Sequence, residues 1–221
     1  MRIEKSESTT LCYMRVDGLG WFTASPTYAE LKDLVGGYDV EIVCPIFPKV
    51  YTPVVTDKPY YDAILNSDMK KGDKVLVVGC GSGSDTWVAW LKTKRRIYNL
   101  DINRQAILNT YSTARLGGFE VEQCLGDIRD IELPEDFKGF DFVLWNMPYL
   151  DGLVLEKEGY YDADDGTAAK AFIKLLPSLL KKKGKAIIIN TVGMEKYINL
   201  PITRKESNDE VAVYTIELNN G

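Results

Sequence analysis

The rhythm of hydrophobic and polar positions along this chain changes near residue 59. Beyond it, short apolar runs of strand length alternate with longer amphipathic stretches, the pattern of a largely parallel sheet covered by helices. Strands are predicted near 74–79, 96–101, 119–124, 140–145 and 185–190, and helices near 84–92, 103–116 and 167–182. The last helix is the clearest: Ala168, Ala171, Phe172, Leu175, Leu176, Leu179 and Leu180 fall on one face at helical period. Pro177 removes a backbone donor and should bend it, and Gly184 then returns the chain to the strand Ala186–Ile189. Tyr61, Ile64 and Leu65 mark a helix face ahead of the first strand. In the tail, Tyr197–Leu200 and Val211–Leu218 are predicted strands joined by a polar turn, a closing antiparallel hairpin at one sheet edge.

The first fifty residues follow a different pattern. Residues 9–16 are predicted as a strand, Tyr28–Val35 as a short helix stopped by Gly36 and Gly37, and Val40–Cys44 as a second strand. Pro45, Pro48 and Pro53 then punctuate an extended crossing segment. The expected organisation is a small α+β cap over residues 1–50, a candidate substrate-recognition element, followed by a main α/β domain over residues 51–221. No internal repeat or low-complexity linker divides the chain.

Val75-Leu76-Val77-Val78 is a buried-strand pattern that runs into Gly79-Cys80-Gly81-Ser82-Gly83, and a helix pattern follows at once. Glycines at alternate positions let a backbone turn tightly and approach a ligand closely, although an ordinary strand-to-helix connection uses them too. The next strand, Ile97–Leu100, ends at Asp101, eighteen residues past Gly83. A carboxylate there can accept from the two ribose hydroxyls of a nucleoside. A dinucleotide fingerprint needs its third glycine at the place held by Ser84, whereas here that glycine comes early, at Gly83.

Composition narrows the chemistry. The chain has 221 residues, no histidine and a formal net charge of −5. Without histidine it lacks the usual general base and the commonest metal ligand. Cys12, Cys44, Cys80 and Cys124 are too widely spaced for a zinc site and are expected to be reduced and mostly buried, with Cys80 a small filler rather than a nucleophile. The acidic balance weakens a nucleic-acid substrate without excluding it. The dense basic runs, Lys92–Arg96 and Lys181–Lys183, are expected at helix ends, where cations suit the dipole and water. There is no apolar run near membrane-spanning length and no signal-peptide core at the N-terminus, so a cytoplasmic location and no membrane partner are expected.

The compact glycine turn followed by Asp101 resembles the first motifs of class I S-adenosylmethionine-dependent methyltransferases. The resemblance implies a Rossmann-like, doubly wound, mostly parallel seven-stranded sheet with a C-terminal antiparallel hairpin. It also implies S-adenosylmethionine as cofactor, bound by Gly79, Cys80, Gly81, Gly83 and Asp101. At the end of the fourth strand of the main domain stands Asn146-Met147-Pro148-Tyr149, which resembles the Asn-Pro-Pro-Tyr motif of methyltransferases acting on planar nitrogen. Such a nitrogen is a poor nucleophile whose lone pair is delocalised, but it has two N–H donors. The Asn146 side-chain oxygen and a backbone carbonyl can accept both, and Tyr149 can stack on the flat group. Asn146, Pro148 and Tyr149 are thus the implied catalytic residues, with Asn146 also near the cofactor. Met147 stands where the family has proline.

Further stretches are similar to HemK-like methyltransferases: Val50-Tyr51-Thr52-Pro53 with the helix that follows, Asp101-Ile102-Asn103-Arg104-Gln105-Ala106, Gly126-Asp127, and Asp165-Gly166 before the apolar helix. They add Pro53, Ile102, Asp127 and Ile128 to the implied cofactor residues, with Asp127 beside the adenine. The resemblance covers roughly residues 50–190, and residues 1–49 carry none. One departure stands out. Class I enzymes usually place an acid two residues before the first glycine, near the methionine amino group, and here that place is Val77. Asp57, Asp85 or Asn146 could supply the contact, although Asp85 is better explained as a helix-start residue favoured by the dipole.

The implied function is N-methylation of a protein glutamine amide or of an exocyclic base amine in RNA or DNA, with room for a small partner subunit. Two alternatives remain. One is a non-catalytic methyltransferase-fold module that stabilises a partner, motivated by Val77 and Met147. The other is a small-molecule methyltransferase with Tyr13, Trp21, Phe22 and Tyr28 as a lid, against the plainer reading that these rings form the cap's own core.

Overall fold

The computed structural model describes residues 5–7, 12–16, 20–24, 27–31, 42–53, 57–148, 166–209 and 211–218. Five strands come first: β1 (Lys5–Glu7), β2 (Cys12–Val16), β3 (Gly20–Ala24), β4 (Thr27–Leu31) and β5 (Ile42–Ile46). β4 lies between β1 and β5 and is antiparallel to both, and β2 pairs with β3. The helix predicted from Tyr28 is therefore a strand over its described part. Ala29, Glu30 and Leu31 favour helix locally, but β5 pairs with all three and β1 with Ala29, and tertiary pairing overrides propensity. Gly36 and Gly37 lie outside the described residues.

The main domain follows as α1 (Lys58–Asn66), β6 (Val75–Val78), α2 (Ser84–Thr93), β7 (Ile97–Asp101), α3 (Arg104–Gly117), β8 (Val121–Leu125), β9 (Phe140–Asn146), α4 (Thr167–Leu179), β10 (Leu180–Thr191), β11 (Ile202–Ser207) and β12 (Val211–Glu217). The sheet has seven strands in the order β11-β12-β10-β9-β6-β7-β8. The neighbours from β10 through β8 are parallel, and β12 is antiparallel to both β10 and β11. The expected C-terminal hairpin is present, but its first strand is Ile202–Ser207 rather than Tyr197–Leu200. The latter stretch ends a 3-10 turn, Met194–Tyr197, and Ile198 packs into the core instead. Ile202–Ser207 is almost wholly exposed and charged, so no apolar alternation announced it.

β6 is buried along its whole length, as a central parallel strand covered on both faces must be. One face is covered by Tyr60, Tyr61 and Ile64 of α1, Val88 of α2 and Ile107 of α3. The other is covered by Phe172, Leu176 and Leu179 of α4, and Tyr214 and Ile216 of β12 extend the same apolar face along the sheet. Each fully buried side chain of the α4 stripe contributes about 1.5–3 kcal/mol. Helix α4 stops at Leu179, two residues past Pro177, and not at residue 182. Lys181–Lys183 therefore open β10, with Lys181 paired to Asp141.

The sheet order reverses between β6 and β9. From β6 the chain builds outward through β7 to β8, then returns to place β9 on the other side of β6. Loops leaving the carboxyl ends of these two strands diverge, and open α/β sheets bind ligands in the crevice this creates. The glycine turn follows β6, and Asn146 ends β9.

Asn109 of α3, fully buried, ties the N-terminal segment to this crevice. Its Oδ1 accepts from Phe47 N at 2.7 Å, and its Nδ2 donates to Pro45 O at 2.5 Å and Ser82 O at 3.0 Å. Asn109→Ala leaves buried backbone groups without partners and should lower unfolding stability by about 2–4 kcal/mol. A shift in urea midpoint worth less than about 0.5 kcal/mol would show the latch to be dispensable.

Candidate functional site

The turn after β6 is shaped by positive φ at Gly79 (62°), Gly81 (50°) and Gly83 (84°). A Cβ on Gly79 would sit 2.8 Å from the Trp145 indole nitrogen, so this backbone is pressed against β9. A Cβ on Gly83 would meet Thr110 Cα and Thr113 Cβ at 3.0 Å each. Side chains of α3 hold the turn from below: Thr110 Oγ1 donates to the carbonyls of Cys80 and Gly81 at 3.3 and 3.1 Å, and Thr113 Oγ1 to Ser82 O at 2.6 Å. With these carbonyls engaged, the turn is fixed before any ligand arrives.

One cleft runs over the carboxyl ends of β8, β7, β6 and β9. Gly79, Cys80 and Gly81 form its floor, and Asp101, Ile102, Asp127 and Ile128 line the β7–β8 side. Asn146 and Pro148 line the β9 side. Of the other predicted residues, Gly83 is the N-cap of α2 and faces α3, and buried Pro53 does not line the cleft. Tyr149 and Asp165 lie outside the described residues. Val77 is buried in the sheet and Met147 packs in the core while also lining the cleft.

Asp101 takes Gly81 N on Oδ2 at 3.1 Å and Asn103 N on Oδ1 at 2.8 Å. A carboxylate has lone pairs beyond these two, so it can still accept hydroxyl donors from the cleft. Desolvation dominates and raises its pKa to about 6, against the hydrogen bonds that lower it. Next to it Ile102 is 42% exposed, a large apolar side chain facing the cleft. Asp127 is gripped by Arg129, whose Nε lies 2.9 Å from both its oxygens, and this holds its carboxyl below the usual range. Burial keeps the Cys80 thiol well above its ordinary pKa, which suits a filler and not a nucleophile.

On the β9 side the Asn146 Nδ2 donates to Asp57 Oδ1 at 2.9 Å. Asp57 is fully buried and also receives Tyr51 OH at 3.4 Å. An amide whose NH2 is given to a carboxylate has its orientation fixed, with the carbonyl oxygen left to accept. Buried Asn190 donates to Pro148 O at 2.9 Å, and Met147 N donates to Ile189 O at 3.1 Å, so the segment after β9 is anchored to β10. Asn190 was not singled out from sequence. Its signal was a polar residue closing the apolar run Ala186–Ile189 at a strand's carboxyl end.

The basic run after α2 is used internally: Lys92 donates to Leu65 O and Ser67 O, Arg95 to Gly72 O, and Arg96 pairs with Glu120 and Glu122. Among the described residues no group of acids and cysteines could hold a metal ion, and no helix is long and apolar enough to cross a membrane.

A family model described as a methyltransferase domain matches residues 69–217. The chain belongs to that family. No curated protein sequence matches this methyltransferase. Among solved structures, it is similar to the T. thermophilus 16S rRNA N2 methyltransferase in complex with AdoMet and guanosine, at 14% identity and TM-score 0.66, over 95% of this chain and 58% of that one. It is also similar to the ribosomal protein L11 methylase of Lactobacillus delbrueckii subsp. bulgaricus (17%, TM-score 0.58, 76% and 80% covered). A third likeness is to an RNA methyltransferase from Salinibacter ruber in complex with S-adenosyl-L-homocysteine (18%, TM-score 0.55, 78% and 95% covered). At these identities the likeness establishes the shared Rossmann-like fold.

The two buried acids of the cleft predict how stability depends on pH. Asp101 and Asp85 have folded-state pKa values of about 6 and about 7, both raised chiefly by desolvation, above the unfolded value of about 3.9. Between these limits the folded chain holds protons that the unfolded chain has released, so stability falls as pH rises. The unliganded methyltransferase should therefore be more stable at about pH 5 than at about pH 7.5, by roughly 1–3 kcal/mol in urea titrations. Asp101→Asn should reduce the difference and leave the part due to Asp85, and a wild-type stability that rises over this window would contradict the assignment.

Proposed function

We propose that this methyltransferase transfers the methyl group of S-adenosylmethionine to a planar nitrogen, the exocyclic amine of a nucleobase. The observation that carries the reading is the fixed amide of Asn146 at the end of β9, beside the cleft formed by Gly79, Gly81 and Asp101.

The cleft residues fit the cofactor. Gly79 and Gly81 present backbone without a side chain to the cleft, so a ligand could lie directly on the turn. Asp101 would accept from the ribose hydroxyls, Ile102 and Ile128 would cover the adenine faces, and Asp127 would accept from its amino group. When bound, S-adenosylmethionine supplies an electrophilic methyl group on a positively charged sulfur. The protein has then to position the acceptor. Asn146 Oδ1 takes one N–H of the acceptor amine, aiming the nitrogen lone pair and favouring pyramidal geometry. Asp57 acts through Asn146 by holding its amide in the accepting orientation. No histidine is needed, because the amine can shed its proton after transfer.

The HemK-like resemblance at Asn146-Met147-Pro148-Tyr149 supports a nitrogen acceptor. Of the three similar structures named above, two are RNA methyltransferases and one is a ribosomal protein methylase, which leads us to a base over a protein amide. Incubation with S-adenosylmethionine labelled in its methyl group, together with total cellular RNA and ribosomal protein, tests both points. Label is expected in RNA, released as an N-methyl nucleoside; label in protein alone would move the acceptor to an amide. Asn146→Ala should retain cofactor binding by calorimetry and lose at least about 100-fold in methylation rate, the scale for removing one oriented donor or acceptor in a reacting site. Undiminished methylation by this variant would remove Asn146 from the chemistry.

A further inference from the structure

The fold's customary acid near the cofactor amino group is replaced by Val77, whose side chain lies in the sheet core and does not reach the cleft. Another carboxylate does reach it. Asp85, in the first turn of α2, is 5% exposed and lines the cleft. It is prepared as an acceptor by a short chain of hydroxyls: Tyr61 OH donates to Ser84 Oγ at 2.9 Å, and Ser84 Oγ donates to Asp85 Oδ1 at 3.2 Å. No ion pair to Asp85 occurs among the described residues.

Its place in the cleft follows from its neighbours. Asp101 and Asp127 mark the nucleoside side, over β7 and β8. Asp85 is tied through Ser84 to Tyr61 of α1, the helix whose N-cap Asp57 is bonded to Asn146, and so belongs to the opposite side. A cofactor laid with its nucleoside at Asp101 directs its amino-acid portion there.

Resting on the cofactor reading above, we infer that Asp85 binds the α-ammonium group of the methionine portion of S-adenosylmethionine, taking the role that Val77 cannot. A buried carboxylate without a counter-charge is costly, and an arriving ammonium removes that cost. The raised pKa of Asp85, about 7 from desolvation first and Asp57 second, expresses the same cost. The other titratable groups that face it are Tyr60 and Tyr61 of α1, Cys44 of β5 and Cys80 of the turn. Burial raises all four further above neutrality, so they stay uncharged near pH 7.

Calorimetric titration with two ligands tests the assignment. S-adenosylhomocysteine carries the ammonium, and 5′-methylthioadenosine keeps the nucleoside and thioether without it. Asp85→Asn should weaken S-adenosylhomocysteine by about 10- to 100-fold and leave 5′-methylthioadenosine within about twofold of wild type. In the wild-type protein, the preference for S-adenosylhomocysteine should fall by up to about tenfold per pH unit below about pH 7, as Asp85 takes up its proton. Asp101 titrates nearby, but both ligands carry the ribose and its effect cancels in the ratio. The pH slope should vanish in Asp85→Asn, which separates Asp85 from Asp57. Equal losses for both ligands, no loss for either, or a flat wild-type ratio from about pH 5.5 to about pH 8 would overturn the role of Asp85 and leave the cofactor reading standing. Binding of neither ligand by wild type would overturn the cofactor reading and this assignment with it.

Discussion

The close packing of the turn Gly79–Gly83 between β9 and α3 is the constraint on which the rest of this molecule depends. On one side Gly79 abuts the Trp145 indole, with no space for a side chain. On the other, Asn109, Thr110 and Thr113 take the carbonyls of Cys80, Gly81 and Ser82. The turn therefore has its carbonyls directed into protein, and Asp101 satisfies Gly81 N from the neighbouring strand. A loop held this way needs little rearrangement on binding, so more of the interaction energy appears as affinity. Asn109 also anchors Pro45 and Phe47, so the N-terminal segment and the turn share one support.

The two sides of the cleft differ in how their acids are handled. Asp127 is exposed enough to pair with Arg129 and stays charged. Asp101 and Asp85 are buried, and both are pushed toward the neutral form. A preformed cleft with partly neutralised acids has a simple physical logic: each acid is destabilising in the empty protein and is relieved by a ligand donor. On the proposed reading Asp101 would take hydroxyl donors and Asp85 a full positive charge. Binding and folding are thereby coupled through the same side chains.

How much of this was legible in the sequence depends on the range of the interaction. The glycine turn, Asp101 and the strand–helix alternation were readable, because each is a local pattern with a local cause. Asn146 was readable because its segment resembles a known motif. Asp57 is legible only as one of three candidates for the methionine amino group, since its bond to Asn146 joins residues 89 positions apart. Asn109 and Asn190 were missed for the same reason: a single amide in a helix or strand carries no periodic signal, and its importance lies wholly in distant carbonyls. β4 reads as helix because Ala29, Glu30 and Leu31 favour helix until β5, and β1 at Ala29, are placed beside them. β11 was missed because an exposed edge strand of charged residues has no hydrophobic alternation to display.

Val77 and Asp85 together show why a departure from a family pattern does not by itself argue for lost activity. A strand residue two places before the turn faces either the sheet core or the crevice, and Val77 belongs to the core cluster that includes Tyr61 and Val88. An apolar side chain there strengthens the contact of β6 with α1 and α2. On the proposed reading the charge it gives up is supplied from the first turn of α2, where Ser84 and Tyr61 already stand as donors. Tyr61 thus serves both arrangements, its ring in the core and its hydroxyl at the acid. A non-catalytic module would have no reason to keep a buried, cation-deficient carboxylate facing an open cleft, since replacing it by an apolar residue would stabilise the fold. Retention of that instability, coupled with an Asn146 amide held in its accepting orientation, is the pattern expected of a site kept for binding and chemistry.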